Sequence, residues 1–375
     1  MRELKIFLVV VVFTALTYWG VEPYAHSIMK PHVSPANFNF AEEDLNFAKG
    51  IVADKEAILT QAQKENNASQ VESATKALDA AKETLAKNEA LWASVEKIDF
   101  AKGDAVKGKA FFEGNCFACH GLKEDGIASN FTDSSAYGVI PPDLSSAALL
   151  YDEKFLAALI LNPALALKVE HKFGDAFIMT AYNSETSGES EEVVNQNIAN
   201  VVAYLKEMAL KFEEKEDAKI KQEVGAKYAK MEDGAEKTAL MEKEMIFAKE
   251  RVFFTEACGR CHDMKYDGFS SLSAKNDLKG YLGSVPPDLS MMIRSRGEQY
   301  LNDFINNTQK LLAGTAMPRV GLNEASQEKI ISYIEKVGDS KKEEMENVGI
   351  YIMIFFVILS VFAILWKRSI WSKLH

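Results

Sequence analysis

Cysteine is scarce in this 375-residue chain: there are four, set as two pairs with none left over, so they make no case for a disulfide framework. Positive charge is short as well. With 43 Lys and Arg against 54 Asp and Glu, the formal net charge of −11 argues against a nucleic-acid partner and leaves a cationic protein partner or plain solubility to explain the acidity. Of six histidines, His26, His32 and His375 have no motif around them. Apolar residues make up 47% of the chain, enough at this length for two small cores.

Charge is missing altogether from one long run. Residues 348–366 are 19 positions without a charge, close to the ~20 needed to cross the hydrocarbon core, and Lys367, Arg368 and Lys373 follow. At the other end, residues 4–21 are apolar except for Lys5, with Arg2 ahead and Tyr18-Trp19 at the far side. Segment 1–24 is read as an anchor whose aromatic pair sits at the interface, or as a signal cut at Ala25-His26-Ser27. Positive charge on both outer flanks predicts both tails on the cytoplasmic side of a bacterial inner membrane, with the intervening chain in the periplasm.

The chain repeats itself. Phe111-Phe112, three residues and Cys-x-x-Cys-His recur from Phe253-Phe254, 142 residues later. Pro-Pro-Asp-Leu-Ser at 141–145 recurs at 286–290. Each copy then reaches a methionine, Met179 or Met317, and closes with a helical pattern: Ile198, Val201, Val202, Leu205 and Phe212 in the first, Ile330, Ile331, Ile334 and Val337 in the second.

A charged helical stretch precedes each copy. Val71, Ala74, Leu78, Ala81, Leu85, Asn88, Trp92 and Val95 keep a three-four seam, Leu45, Val52 and Leu59 a stripe upstream, and Asn66-Asn67 parts them, so 41–99 is predicted to be a helical hairpin insert. Residues 213–250 form a Lys- and Glu-rich connector with supporting pairs such as Asp217/Lys221 and Glu223/Lys227, and Gly225 and Gly234 as expected bends. It is a solvated spacer or a docking surface for another subunit.

The chemistry lies in Cys116-Phe117-Ala118-Cys119-His120 and Cys258-Gly259-Arg260-Cys261-His262. Two thiols at this spacing can add across the two vinyl groups of a haem, and the next residue then lies against the iron. Cys-x-x-Cys alone is equally a zinc half-site or a redox dithiol. A histidine directly after it, twice, points instead to two covalently bound haems c with His120 and His262 as iron ligands. By their place in the repeat, Met179 and Met317 are the expected sixth ligands; a thioether opposite imidazole raises the reduction potential and closes the iron to small molecules. His171 competes for the first iron, and a lone methionine can be core filler. A ligating imidazole needs its far N–H held by a carbonyl. Pro142 and Pro287 close rigid Pro-Pro turns placed to present one, although a plain turn is the other use.

Both repeats resemble class I cytochrome c domains: an opening helix ending in the haem motif, a proline loop, a methionine loop and a closing helix. In the first, Gly108 stands where such domains use glycine to let the terminal helices cross closely; in the second that place is Glu250. The second repeat also resembles cytochrome c1 of the bacterial quinol–cytochrome c oxidoreductase (bc1) complex, in 258–266 (CGRCHDMKY), in 285–290 (VPPDLS) with Arg294 and Arg296 following, and in the tail from Trp366 to Leu374. That likeness covers about a third of the chain, and the remainder resembles the two-haem variant of this subunit. The resemblance implies a mainly α chain with class I domains at 100–212 and 251–338 and a transmembrane helix at each end. It implies Arg294, and after it Arg296, on a haem propionate. It further implies electron transfer from a Rieske iron–sulfur protein to a soluble cytochrome c or an oxidase, beside cytochrome b in a dimeric complex. An oxidase-associated di-haem subunit and a di-haem peroxidase are the alternatives. The tail after Trp366 speaks against the first, and two methionine ligands against the second.

Overall fold

The computed structural model describes residues 2–21, 24–25 and 36–374. His26, His32, His375 and the cleavage site through His26 and Ser27 lie outside them. The described chain is helical. α1 (Arg2–Leu16) is followed by α2 (Phe40–Lys64), α3 (Ala68–Glu96), α4 (Ala105–Asn115) and α5 (Glu153–Leu161). Then come α6 (Glu191–Lys227), α7 (Ala235–Ala257), α8 (Lys275–Leu282), α9 (Glu324–Gly338) and α10 (Lys342–Leu374), with shorter turns between. In place of sheets, isolated bridges join Leu122 to Ile127, Met264 to Phe269 and Tyr151 to Leu322.

Among the described residues two helices are long and apolar enough to cross a membrane: Leu4–Val21, which is α1 and its continuation, and Val348–Lys373 within α10. No residue of either window is buried. At about 1.5 Å per residue the 26 residues of the second span ~39 Å, more than the ~30 Å hydrocarbon core.

α2 and α3 pack against each other. Asn66 turns the chain in the left-handed region (φ 54°), and Asn67 starts α3 by accepting the Gln70 N–H on its side chain. The apolar stripe of α3 then has somewhere to go. Trp92 and Val95 join Phe40 of α2, Phe155 and Leu161 of α5, and Val194, Ile198 and Val202 of α6 in one core. The hairpin is therefore built into the first repeat.

In each repeat an opening helix crosses a closing one. Where α4 crosses α6, a Cβ on Gly108 would lie 2.1 Å from the Asn200 carbonyl oxygen, so only glycine fits. Where α7 crosses α9 the matching residue is Glu250, buried, accepting from Lys336 Nζ at 2.7 Å and Ser332 Oγ at 2.9 Å. The second crossing has an ion pair in place of a close approach.

The closing helix of the first repeat does not end with its apolar pattern. α6 runs 37 residues, and Gly225 lies inside it rather than at a bend. The helix survives its glycine because Ile220 and Val224 are buried and because Asp217 and Lys227 pair with Lys249 and Glu244 of α7, each at 2.7 Å. The turn comes at Tyr228, and Gly234 precedes α7, which runs unbroken into the second cysteine motif.

Among the contacts that join the repeats are two arrangements away from the cysteine segments. In the first, Asp152 N–H donates to Gly321 O at 3.3 Å and Asn323 N–H to Leu150 O at 3.0 Å, beside the Tyr151–Leu322 bridge. In the second, Asp44 of the hairpin accepts from Arg319 Nη1 and Nη2 at 3.0 and 2.5 Å, from Trp92 Nε1 at 3.0 Å and from Lys168 Nζ at 2.7 Å. Asp44 is 0% exposed and Arg319 1%. One carboxylate thus ties the hairpin to both repeats.

Candidate functional site

Each Cys-x-x-Cys-His segment begins where an opening helix ends. Cys116 N–H still donates to Phe112 O (2.8 Å), and His120 N–H returns to Cys116 O (2.9 Å). Cys258 N–H donates to Phe254 O (2.8 Å), and His262 N–H to Cys258 O (3.0 Å). The two segments are the same turn built twice. Beyond each, a left-handed glycine, Gly126 (φ 74°) or Gly268 (φ 69°), reverses the chain. The reversal brings Asp125 and Asp267 under Tyr204 and Tyr333 of the closing helices, with O–H···O distances of 2.5 and 2.6 Å.

The imidazoles are held alike. His120 Nδ1 lies 2.9 Å from Pro142 O, and His262 Nδ1 lies 2.8 Å from Pro287 O. A carbonyl only accepts, so Nδ1 carries the proton and Nε2 is left free to coordinate in both rings. The main chain completes the strap: Leu144 N–H donates to Gly121 O at 2.9 Å and Leu289 N–H to Asp263 O at 3.0 Å. Burial lowers both imidazoles below the usual histidine range, the carbonyls opposing it, and this favours the neutral form that binds metal.

The thiols argue about chemistry too. No disulfide joins the four cysteines. Burial, reinforced by the neighbouring cysteine, pushes Cys116 and Cys258 up to about 12, and burial raises Cys261. A redox dithiol needs the opposite, a thiol held low. Among the described residues no three His, Cys, Asp or Glu gather as a metal cluster. Paired neutral thiols followed by a clamped imidazole fit a haem held by two thioether bonds and one nitrogen.

Met179 and Met317 are half-buried on loops. The first loop is tied back to the repeat by Tyr182, whose N–H donates to Ile160 O at 2.9 Å and whose ring packs edge-on to Phe111 of α4 at 4.8 Å. The second is shaped by Thr315, which accepts the Met317 N–H at 3.3 Å, and is anchored by buried Arg319 two residues on. His171 is exposed. Arg294 is exposed and pairs with Asp339 at 2.8 Å, and Arg296 lies over the Tyr300 ring at 5.4 Å, so both guanidinium groups have partners within the protein. Arg260, between the cysteines of the second segment, donates from Nη1 to Ile140 O of the first repeat at 3.1 Å. Sequence reading passes over it because an x position registers as a spacer; the one available signal is a charge in a place that needs none.

Residues 105–209 match the cytochrome c family model, from the start of α4 into α6. Among solved structures the chain is similar to a chain of a hyperthermophilic respiratory Complex III, at 23% identity and a TM-score of 0.30, over 35% of this chain and 77% of that one. No curated protein matches. The first repeat carries a cytochrome c domain, and such a domain implies covalently bound haem c with its iron.

Proposed function

We propose that this chain is a membrane-anchored di-haem cytochrome c, the cytochrome c1-like electron-transfer subunit of a quinol–cytochrome c oxidoreductase. In that complex it stands beside cytochrome b, between a Rieske iron–sulfur protein and a soluble cytochrome c or an oxidase, with its haem domains in the periplasm. One observation carries the reading: the histidine clamp occurs twice, on Pro142 O at 2.9 Å and on Pro287 O at 2.8 Å. A bound haem supplies one-electron chemistry at its iron. The chain's own work is tethering, ligation and burial. Cys116, Cys119, Cys258 and Cys261 would tether the haems, His120 and His262 would ligate iron through Nε2, Met179 and Met317 would supply the further ligands, and Pro142 and Pro287 keep the rings in orientation. The spans Leu4–Val21 and Val348–Lys373 support the anchors.

The test is purification of the full chain in mild detergent. Pyridine haemochrome assay gives two haems c per chain, and cytochrome b and a Rieske subunit co-purify. A single haem per chain would remove the second site. An oxidase co-purifying in place of cytochrome b would move the subunit to another complex.

A further inference from the structure

The side chain of Arg260 leaves its own repeat. Besides the Nη1 bond to Ile140 O at 3.1 Å, the same junction has Ile140 N–H donating to Ser273 Oγ at 3.1 Å. Ile140 stands two residues before Pro142, whose carbonyl holds His120. One guanidinium therefore links the cysteine turn of the second site to the histidine strap of the first.

What Arg260 lacks is an anion. Its Nε is buried and has no hydrogen-bond partner. Arg251, Arg294 and Arg319 each face a carboxylate, at 2.7, 2.8 and 2.5 Å, and no such ion pair reaches Arg260 among the described residues. A buried donor on a charged group without an acceptor is costly, and a partner from outside the polypeptide would relieve that cost. A haem propionate is the carboxylate that sites of this composition bring with them.

We propose that Arg260 is a cation shared by the two haem sites: its Nε–H takes a propionate carboxylate, and from the junction it raises the reduction potential of the first haem as well as that of its own. This rests on the di-haem reading above. A positive charge held at a low-dielectric junction disfavours the more positive oxidised state on either side. A merely structural arginine would disturb packing without moving both potentials.

The experiment is potentiometric titration of the full detergent-purified chain and its R260Q, R260K and S273A variants, after haem counting. The two haems are assigned from a variant with Cys116→Ala and Cys119→Ala, which keeps only the second. One haem in the unmutated chain sinks the di-haem reading before Arg260 is tested at all. With two present, R260Q shifts both one-electron equilibria about tenfold toward the oxidised form, ~59 mV each. R260K stays near the parent, and S273A, which removes a neutral contact from the same junction, moves neither. A first-haem potential unmoved in R260Q overturns the proposal, and so does an equal shift in S273A. Should R260Q fail to assemble, redox-difference infrared spectra with ¹³C-carboxylate haem propionates decide: R260K displaces a propionate band, and an undisplaced band overturns the assignment.

Discussion

A carboxylate with no exposed surface keeps its charge only if cations answer it on the spot. Asp44 is such a group. Burial alone would raise its carboxyl, but the Arg319 and Lys168 charges outweigh burial and hold it below the ordinary carboxylate range. Asp44→Ala leaves buried Arg319 and half-buried Lys168 unanswered and is expected to cost about 3–5 kcal/mol in urea unfolding. The pH dependence follows from the sign. A depressed folded pKa contributes stability that is present above the unfolded value of about 3.8 and lost as pH falls through the folded one. Denaturation midpoints of the parent should fall in that acid window, and an Asp44→Asn variant should start lower and lose less there; equal slopes for the two would remove Asp44 from the acid transition. Nothing local marks this residue. Asp44 reads as one acid among several on a charged helix, and its partner Arg319 is 275 positions away. The proposed haem-holding residues were legible for the opposite reason: Cys116, Cys119 and His120 lie within five consecutive residues, and their spacing is their chemistry.

At the scale of helices, the two crossings solve one problem in two ways. Gly108 was readable because a glycine eight residues before the cysteine has a steric job, and the 2.1 Å approach to Asn200 O is that job. Glu250 was readable as the residue in the matching place, but what makes a glutamate acceptable there was not, because it is Lys336 on another helix, 86 residues on. Gly225 shows the converse. Propensity marks it as a break, yet tertiary pairing with α7 carries the helix through, since a glycine costs only about 1 kcal/mol in a helix interior. These differences predict unequal tolerance. Gly108→Ala forces α4 and α6 apart, and overpacking of this kind costs roughly 1–3 kcal/mol. Glu250→Gln keeps the shape of the second crossing and loses only charge, so its thermal unfolding should shift less. If Gly108→Ala melts with the parent, the close crossing is not what holds the first repeat.

Across the whole molecule, the duplication could be read from sequence, but the way the copies meet could not. The meeting uses Tyr151, Leu322, Asn323 and the Asp44 cluster, which belong to no motif and are brought together only by the tertiary structure. Gly321 is the tightest point of that meeting. Its φ is +79°, and a Cβ there would lie 1.9 Å from the Phe155 ring, which is buried in the core shared by the hairpin and the first repeat. Its carbonyl accepts the Asp152 N–H across the junction. Gly321→Ala therefore meets two penalties, about 1–2 kcal/mol for a left-handed alanine and roughly 1–3 kcal/mol for overpacking. Gly126 separates them, because it has a similar φ of +74° with nothing within 4 Å of the added Cβ, so Gly126→Ala meets the first penalty only. Scanning calorimetry of both variants should show the larger fall in melting temperature for Gly321→Ala, with haem content unchanged because neither substitution touches a tether or a ligand. Equal melting of the two would mean that Phe155 yields without cost and that the repeats are not held at Gly321.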